Sequence, residues 1–116
     1  MNKICTSIEQ SKKLIELGID VNTADMYYDV NNYGIQSKPE VTVGKVWSKD
    51  IPCWSLAALL ELLDYPQLSK DKLGSGRVGW MVSVYPDNCR YDSCWHDNPV
   101  DACYEMIIRL NEQNIL

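Results

Sequence analysis

The feature that most constrains this chain is the apolar run Trp54–Leu63, which reads WSLAALLELL. Eight of its ten side chains are apolar, and only Ser55 and Glu61 interrupt them. One face of a helix cannot hold eight apolar residues out of ten, so a helix formed here must be buried on nearly every side. The run is too short to cross a membrane, which takes about 20 apolar residues. We therefore expect a short central helix that the rest of the domain surrounds.

Length and charge limit the possible functions. The chain has 116 residues, an apolar fraction of 46% and a charged fraction of 23%, which are typical of one globular domain spanning residues 1–116. Its formal net charge is −5, and no run of lysine or arginine offsets this charge. Because a negative chain repels phosphate groups, we expect no nucleic-acid binding. An acidic surface that mimics nucleic acid, or that binds a basic partner, stays open.

The cysteines are odd in number, at Cys5, Cys53, Cys89, Cys94 and Cys103. The N-terminal sequence MNKICTSIEQ contains no apolar segment of the kind found in signal peptides. We therefore expect a cytoplasmic protein whose thiols are reduced and act as small hydrophobic side chains.

The first helix is predicted at about Ser7–Leu17. Thr6 and Glu9 have the spacing of a capping box, in which each side chain bonds to the backbone N–H of the other residue. Gly18 then occupies the left-handed position that ends many helices, and Ile19 supplies the hydrophobic contact of a Schellman motif.

The central helix is predicted to begin near Pro52, since proline fits a first helical turn. Asp50 or Ser55 would cap it. Pro66 would end it, because the residue before a proline is disfavoured in the helical conformation.

The last helix is predicted to open with Asp97 or Asn98 as its cap and Pro99 at its first position. Glu105 and Arg109 are spaced for an ion pair on its outer face. The residues expected on its buried face are Val100, Cys103, Ile107 and Leu110.

Two pairs of strands are predicted between the helices. Asp25–Val30 and Val41–Trp47 make the first pair, although a helix is the competing interpretation of Asp25–Val30. Arg77–Tyr85 and Cys89–Trp95 make the second pair, joined by a two-residue turn at Asp87-Asn88. The expected cross-strand partners are Val84 with Tyr91, Val82 with Ser93, and Trp80 with Trp95.

The predicted element order is therefore α-ββα-ββα. This order indicates an α+β fold, in which an antiparallel sheet of about four strands, in two hairpin-like pairs, carries three helices on one face. The polar segment Gln67–Arg77 contains two glycines and is expected to be a surface loop.

Four segments carry a resemblance to known sequences: TSIEQSKKLIELGID, TADMYY, DIPCWSLAALLELL and DNPVDACYEMIIRL. Together they resemble a group of small uncharacterised proteins found in gut-bacterial genomes and in their phages and integrated elements. The resemblance covers most of the chain and is weakest at residues 31–40 and 64–77. It implies a bacterial cytoplasmic setting and a mobile-element origin, but it implies no activity, ligand or catalytic residue.

A glycine-rich stretch at Gly74–Gly79 matches the pattern G-x-G-x-x-G. A dinucleotide site needs this pattern after a strand and at the start of a helix, so that the helix N-terminus meets the phosphates. Here the pattern follows a polar segment and enters a predicted strand. We therefore expect no nucleotide cofactor, and we interpret the glycines as a loop followed by a strand position that needs no side chain.

Cys89, Cys94, His96 and Cys103 come nearest to a metal-ligand set. Structural zinc sites usually place two cysteines two to four residues apart on a turn, and this chain lacks that spacing. Cys89 and Cys94 are also an odd number of residues apart on one predicted strand, so they point to opposite faces. We therefore expect no metal.

Cys94 and His96 form the sharpest catalytic hypothesis, with Cys94 as nucleophile, His96 as base and Asp92 or Asp97 orienting the imidazole. His96 is the only histidine. Side chains two positions apart on a strand have Cβ atoms about 6–7 Å apart, which is too far for a direct hydrogen bond unless the strand bends. A second catalytic hypothesis pairs the carboxylates of Asp25 and Asp29, as in glycosidases. An exposed strand face explains these two aspartates more simply.

Aromatic residues are the best sequence argument for a binding surface. The chain has four tryptophans and seven tyrosines but no phenylalanine, and Tyr and Trp are enriched at interfaces. The candidate surface residues are Tyr27, Tyr33, Tyr85 and Tyr91. We therefore expect a non-enzymatic protein that binds a protein partner or another copy of itself, without cofactor or membrane. The alternatives are a small enzyme using Cys94 and His96, and an acidic inhibitor that mimics nucleic acid.

Overall fold

The computed structural model describes residues 3–29, 40–43 and 51–116. Within these ranges the elements are α1 (Ile8–Glu16), β1 (Met26–Asp29), β2 (Glu40–Val43), β3 (Ile51–Cys53), α2 (Leu56–Glu61), β4 (Gln67–Lys72), β5 (Val78–Val84), β6 (Tyr91–Asp92) and α3 (Pro99–Glu112). The strands form two antiparallel sheets, with the orders β2-β1-β3 and β4-β5-β6. The α+β prediction is confirmed, but the single sheet of about four strands is wrong, because β3 and β4 add a strand to each predicted pair.

Strand β3 was missed because it is short and contains a proline. Pro52 lies opposite Tyr27 in β3, which is an edge strand of the first sheet. Edge strands tolerate proline because only one of their sides pairs with a neighbouring strand. Pro52 therefore does not open the central helix. That helix begins after Ser55, whose hydroxyl accepts the Ala58 N–H at 3.3 Å. The other predicted cap, Asp50, lies outside the described residues.

The prediction of a surface loop at Gln67–Arg77 is wrong for most of that segment. Six of its residues, Gln67–Lys72, form β4 and pair in register with β5. Polar, charged sequences are common on edge strands because they discourage pairing with other chains, so the segment carries no alternating apolar pattern. The turn is confined to the residues around Gly76, whose φ of +84° favours glycine.

Helix α1 is capped one residue later than predicted. The cap is Ser7, which accepts the Gln10 N–H at 3.1 Å while the Gln10 side chain accepts the Ser7 N–H at 3.0 Å. Thr6 is instead fully buried, and its hydroxyl accepts the Trp54 N–H at 3.0 Å. The predicted Schellman ending is confirmed, since Gly18 has a φ of +91°.

The central run lies in the core, but only part of it is helical. Trp54 and Leu59 are fully buried, and Leu63 is almost so. Ala57 is exposed, so α2 is covered on fewer sides than the composition predicts. The helix begins at Leu56, so Trp54 enters the core from the residues before the helix.

Helix α3 completes the core. Its cap is Asn98 and its first residue is Pro99, as predicted. The four residues expected on its buried face are all at least 97% buried, and Ala102 and Met106 join them. The helix packs against β5 and α2, while α1 packs against β3.

The β5–β6 hairpin confirms the predicted turn but not the whole register. Asp87 and Asn88 both have positive φ, and Cys89 N–H donates to the Pro86 carbonyl at 3.0 Å, as in a type I′ turn. Val84 pairs with Tyr91 as expected, and Ser93 N–H donates to the Val82 carbonyl at 2.9 Å. Trp80, however, pairs with His96 and not with Trp95. One extra residue in the second strand makes a bulge, and this bulge decides which side chains reach α3.

Candidate functional site

The predicted tyrosine surface is not a single patch. Tyr27 lies on the first sheet, whereas Tyr85 and Tyr91 lie at the β5–β6 end of the second sheet. All three are half-buried, and Tyr91 packs against the core. Tyr33 lies outside the described residues. Tyr27 therefore does not share a surface with Tyr85 and Tyr91.

Of the two carboxylates in the Asp25–Asp29 hypothesis, Asp25 has a structural role. The Asp25 carboxylate accepts the Ser55 N–H at 2.9 Å and also the Ser55 hydroxyl, which ties β1 to the start of α2. The side chain of Asp29 lies outside the described part of the chain.

Cys94 and His96 lie on the bulged segment after β6, and both face α3. The exposed Cys94 thiol accepts a hydrogen bond from Arg109 Nη2 at 3.4 Å. His96 Nε2 lies 2.6 Å from Glu105 Oε1. Each side chain is therefore engaged by a residue of α3, and no hydrogen bond joins Cys94 to His96 in the described chain.

Glu105 is the centre of this cluster. Its Oε1 atom also accepts the Cys94 N–H at 3.0 Å, and its Oε2 atom lies 2.7 Å from Arg109 Nε. Burial raises the pKa of Glu105, but the bonds from His96 and Cys94 and the charge of Arg109 outweigh burial, so the pKa lies below its usual value. The predicted Glu105–Arg109 pair is present, but the Glu105 side chain is only 21% exposed and does not lie on the outside.

An open cleft of about 860 Å³ lies beside His96. Its other lining residues come from the N-terminal segment, the start of β5, the bulge and the start of α3: Lys3, Arg77, Val78, Trp95, Asp97, Asn98 and Asp101. A smaller hollow of about 420 Å³, which includes Tyr104 and Ile108, shares His96 and Asp101 with it. His96 and Asp101 therefore stand between two adjoining depressions.

Asp101 holds one wall of the cleft in place. Its carboxylate accepts hydrogen bonds from Lys3 Nζ at 2.7 Å, Gln10 Nε2 at 2.8 Å and Asn98 Nδ2 at 2.8 Å. Burial raises the pKa of Asp101, but these three hydrogen bonds together outweigh burial and lower the pKa overall. The ionised carboxylate therefore links the N-terminal segment and α1 to the first turn of α3.

Trp95 and Val78 form the apolar part of the cleft. They are 40% and 45% exposed, and an Arg77–Asp97 ion pair lies beside them. The Trp95 ring packs against Gly79, where an added Cβ would lie 3.1 Å from the ring carbon Cε3. The last glycine of the G-x-G-x-x-G pattern lies in β5, as predicted, and its close contact with the Trp95 ring leaves little room for a Cβ.

Sequence reasoning missed this cleft because it placed Trp95 opposite Trp80. With the observed bulge, His96 takes that position and Trp95 lies partly exposed at the cleft. The only available signal was that Trp95 directly precedes His96, the only histidine, shortly before a helix cap. This signal does not show that Trp95 is exposed, because its exposure depends on a bulge that the sequence does not predict.

Three further findings bear on identity. No helix within residues 3–29 and 51–116 is long and apolar enough to span a membrane. No group of three or more metal-ligating side chains lies together in the part of the chain that the structure describes. Comparisons with protein-family models, with curated proteins and with solved structures found no match.

Proposed function

We propose that this protein is a non-enzymatic, cytoplasmic binding protein whose docking site for a protein partner is the cleft beside Trp95. The observation that carries the proposal is the exposed apolar pair Val78 and Trp95 inside an open cleft. Partly exposed tryptophans often act as anchors at interfaces, because one ring contributes a large apolar area at little cost in conformational entropy. The partner is a protein segment that places an apolar side chain against this ring, and a second copy of the chain is one such partner.

The charged rim supports the same proposal. Lys3 pairs with Asp101 and Arg77 pairs with Asp97, so both signs of charge stand at the edge of the cleft in paired positions. Interfaces commonly surround an apolar centre with a polar rim that sets specificity more than affinity. Because these charges are already paired, the rim carries little net charge, so the apolar centre contributes most of the affinity in this proposal.

The enzyme alternative has less support from the geometry. A Cys–His nucleophile needs the imidazole within hydrogen-bonding reach of the thiol. Here the His96 imidazole bonds to Glu105, and the Cys94 thiol accepts from Arg109. Both groups are held by α3 in positions that serve to attach the bulge to the helix.

The nucleic-acid mimic also has less support. A mimic needs a face of uncompensated acidic groups. Four carboxylates of the second half of the chain instead pair with lysine or arginine: Asp92, Asp97, Asp101 and Glu105. A bacterial or mobile-element origin remains part of the proposal, and it rests on the sequence resemblance alone.

The test places a photo-crosslinking amino acid at Val78, inside the cleft, and a control at Tyr65, which is 84% exposed and does not line the cleft. Each variant is irradiated alone and in lysate of a bacterium that carries the gene. We expect one discrete adduct from position 78 and none from position 65, at the mass of a dimer if the partner is a second copy. Trp95→Ala should weaken formation of that adduct at least about tenfold, as loss of an interface anchor does. Equal labelling from both positions, or an adduct insensitive to Trp95→Ala, would overturn the proposal.

A further inference from the structure

A second feature lies where the N-terminal segment meets the end of β3. Cys5 pairs with Ser55 in an antiparallel bridge, and Thr6 N–H donates to the Trp54 carbonyl at 2.9 Å. Side chains alternate along extended backbone, so Cys53, two residues before Ser55, points to the same side as Ser55. Cys5 and Cys53 therefore approach each other across this short pairing.

The two thiols lie in a common buried cluster. They are 97% and 100% buried. The hydroxyl of Tyr28 lies 3.6 Å from Cys5 Sγ and donates to the Thr6 carbonyl at 2.8 Å. Packing of small hydrophobic residues in a core does not require two adjacent thiols or a tyrosine hydroxyl beside them.

The surroundings make the two thiols chemically different. The hydrogen bond from Cys53 and, less strongly, the charge of Lys3 lower the pKa of Cys5 to about 6, although burial opposes this. The same Cys5–Cys53 hydrogen bond, together with burial, raises the pKa of Cys53 above its usual value. Cys5 is thus the group that ionises near neutral pH, and Cys53 keeps its proton.

We propose that Cys5 and Cys53 form a hydroperoxide-reactive thiol pair, in which oxidation of Cys5 leads to a disulfide that joins the N-terminal segment to β3. In the first step the Cys5 thiolate attacks one oxygen of the hydroperoxide, the O–O bond breaks, and the departing alkoxide or hydroxide takes up a proton. Cys5 becomes a sulfenic acid and the hydroperoxide is reduced to an alcohol or water. In the second step Cys53 sulfur attacks the Cys5 sulfur, the S–OH bond breaks, and the Cys53 proton leaves with the hydroxide as water.

The surroundings of Cys5 offer the oxidant a route to its thiol. The adjacent residue Ile4 is 60% exposed, so local opening of the segment that carries Cys5 uncovers the thiol. Cys53 sits in β3 and in the core, so closing the disulfide requires Cys5 to move towards it. This order of events makes Cys5 the attacking residue and Cys53 the resolving residue.

The test follows each thiol by peptide mapping after treatment of the full chain with hydrogen peroxide at neutral pH. The exposed cysteines are removed in a Cys89→Ser, Cys94→Ser background, which retains Cys5, Cys53 and Cys103. Cys103 serves as the internal control, because burial raises the pKa of its thiol to about 12. We expect a peptide pair cross-linked through Cys5 and Cys53, reversed by dithiothreitol, to form at least about tenfold faster than any oxidation of Cys103.

A second variant separates the two steps. Cys53→Ala keeps Cys5 but removes the resolving thiol, so Cys5 should accumulate as a sulfenic acid that dimedone traps. Circular dichroism checks that this variant is folded. The peptide mapping in the Cys89→Ser, Cys94→Ser background does not depend on the Cys53→Ala variant. Oxidation of Cys5 no faster than that of Cys103, or reaction of Cys5 without a bond to Cys53, would overturn the proposal.

Discussion

His96 Nε2 lies 2.6 Å from Glu105 Oε1, and the same oxygen accepts the Cys94 N–H at 3.0 Å. One carboxylate oxygen therefore holds both ends of the bulged segment Cys94–His96 against α3. Because Trp95 lies between these two attachment points, Glu105 also sets the position of the apolar wall of the cleft. Helical periodicity predicts Glu105 on the outer face of α3, but in the structure Glu105 supports the candidate docking site.

Removing this carboxylate should loosen the bulge. Glu105→Ala takes away the acceptor for two donors and the partner of Arg109, so we expect a loss of about 1–3 kcal/mol in the free energy of unfolding. Glu105→Gln keeps an amide oxygen and should lose less. Urea denaturation measures both. Glu112→Ala on the same helix is the control, with an expected change within about 0.5 kcal/mol because Glu112 is exposed. Equal losses in Glu105→Ala and Glu112→Ala would contradict the role given to Glu105.

A side chain at position 79 should destabilise the protein. A Cβ at this position would lie 2.9 Å from Leu73 Cδ1 and 3.1 Å from Trp95 Cε3, so Gly79→Ala must displace one of them. We expect a loss of about 1–3 kcal/mol, the usual cost of overpacking. Gly74→Ala is the matched control, since nothing lies within 4 Å of its added Cβ and the change there should be small. Thermal unfolding compares the two variants, and a Gly79→Ala protein as stable as Gly74→Ala would show that the contact with Trp95 is loose.

The cost of replacing a leucine in the central run should depend on how deeply that leucine is buried. Leu59 is fully buried and Leu60 is only partly so. Leu59→Ala should cost about 2–5 kcal/mol in the free energy of unfolding, through lost burial and the cavity left behind. The chemically identical change Leu60→Ala should cost clearly less. If denaturant titrations gave the same loss for both, the helix would have to be covered evenly on all sides, as the sequence pattern alone predicts.

The free energy of unfolding should decrease as the pH falls below the ordinary pKa of carboxyl groups. The pKa of Asp101 lies below its ordinary value of 3.8, so its ionised form favours the folded state. This contribution is complete above the ordinary value and disappears as pH falls through the lowered one. Asp101→Asn should therefore be less stable at neutral pH and show a weaker loss of stability with acid, while Glu105 maintains part of the slope. Asp87→Asn, the same substitution at an exposed turn, is the control in unfolding measured from pH 7 downwards. An unchanged slope in Asp101→Asn would contradict the assignment.

Thiol labelling separates the binding proposal from the enzyme alternative. Cys89 and Cys94 are both exposed, but only Cys94 lies on the segment that carries His96. If the protein is a binding protein, a thiol-reactive probe at neutral pH should modify Cys94 no faster than Cys89. Peptide mapping over time gives the two rates in one sample. A much faster reaction at Cys94 that disappears in His96→Ala would favour the enzyme, because an activated nucleophile needs its base.

Local patterns were sufficient for several caps and turns, although the first and central helices begin later than predicted. Asn98 and Pro99 begin α3, Gly18 ends α1, and Asp87-Asn88 turns the chain, because capping and turn geometry involve only a few successive residues. The buried face of α3 was predictable for the same reason, since helical spacing alone places its apolar residues on one side.

Contacts between distant segments decided the rest. Whether Gln67–Lys72 is a loop or a strand depends on β5 lying beside it, and a polar edge strand has no periodicity that would announce this. The cleft depends on a bulge that exchanges Trp95 for His96 opposite Trp80, and a shift of one residue exchanges the two faces of a strand. The sequence thus specifies several helix caps and turns, while the candidate docking site and the Cys5–Cys53 pair depend on remote residues that meet in space.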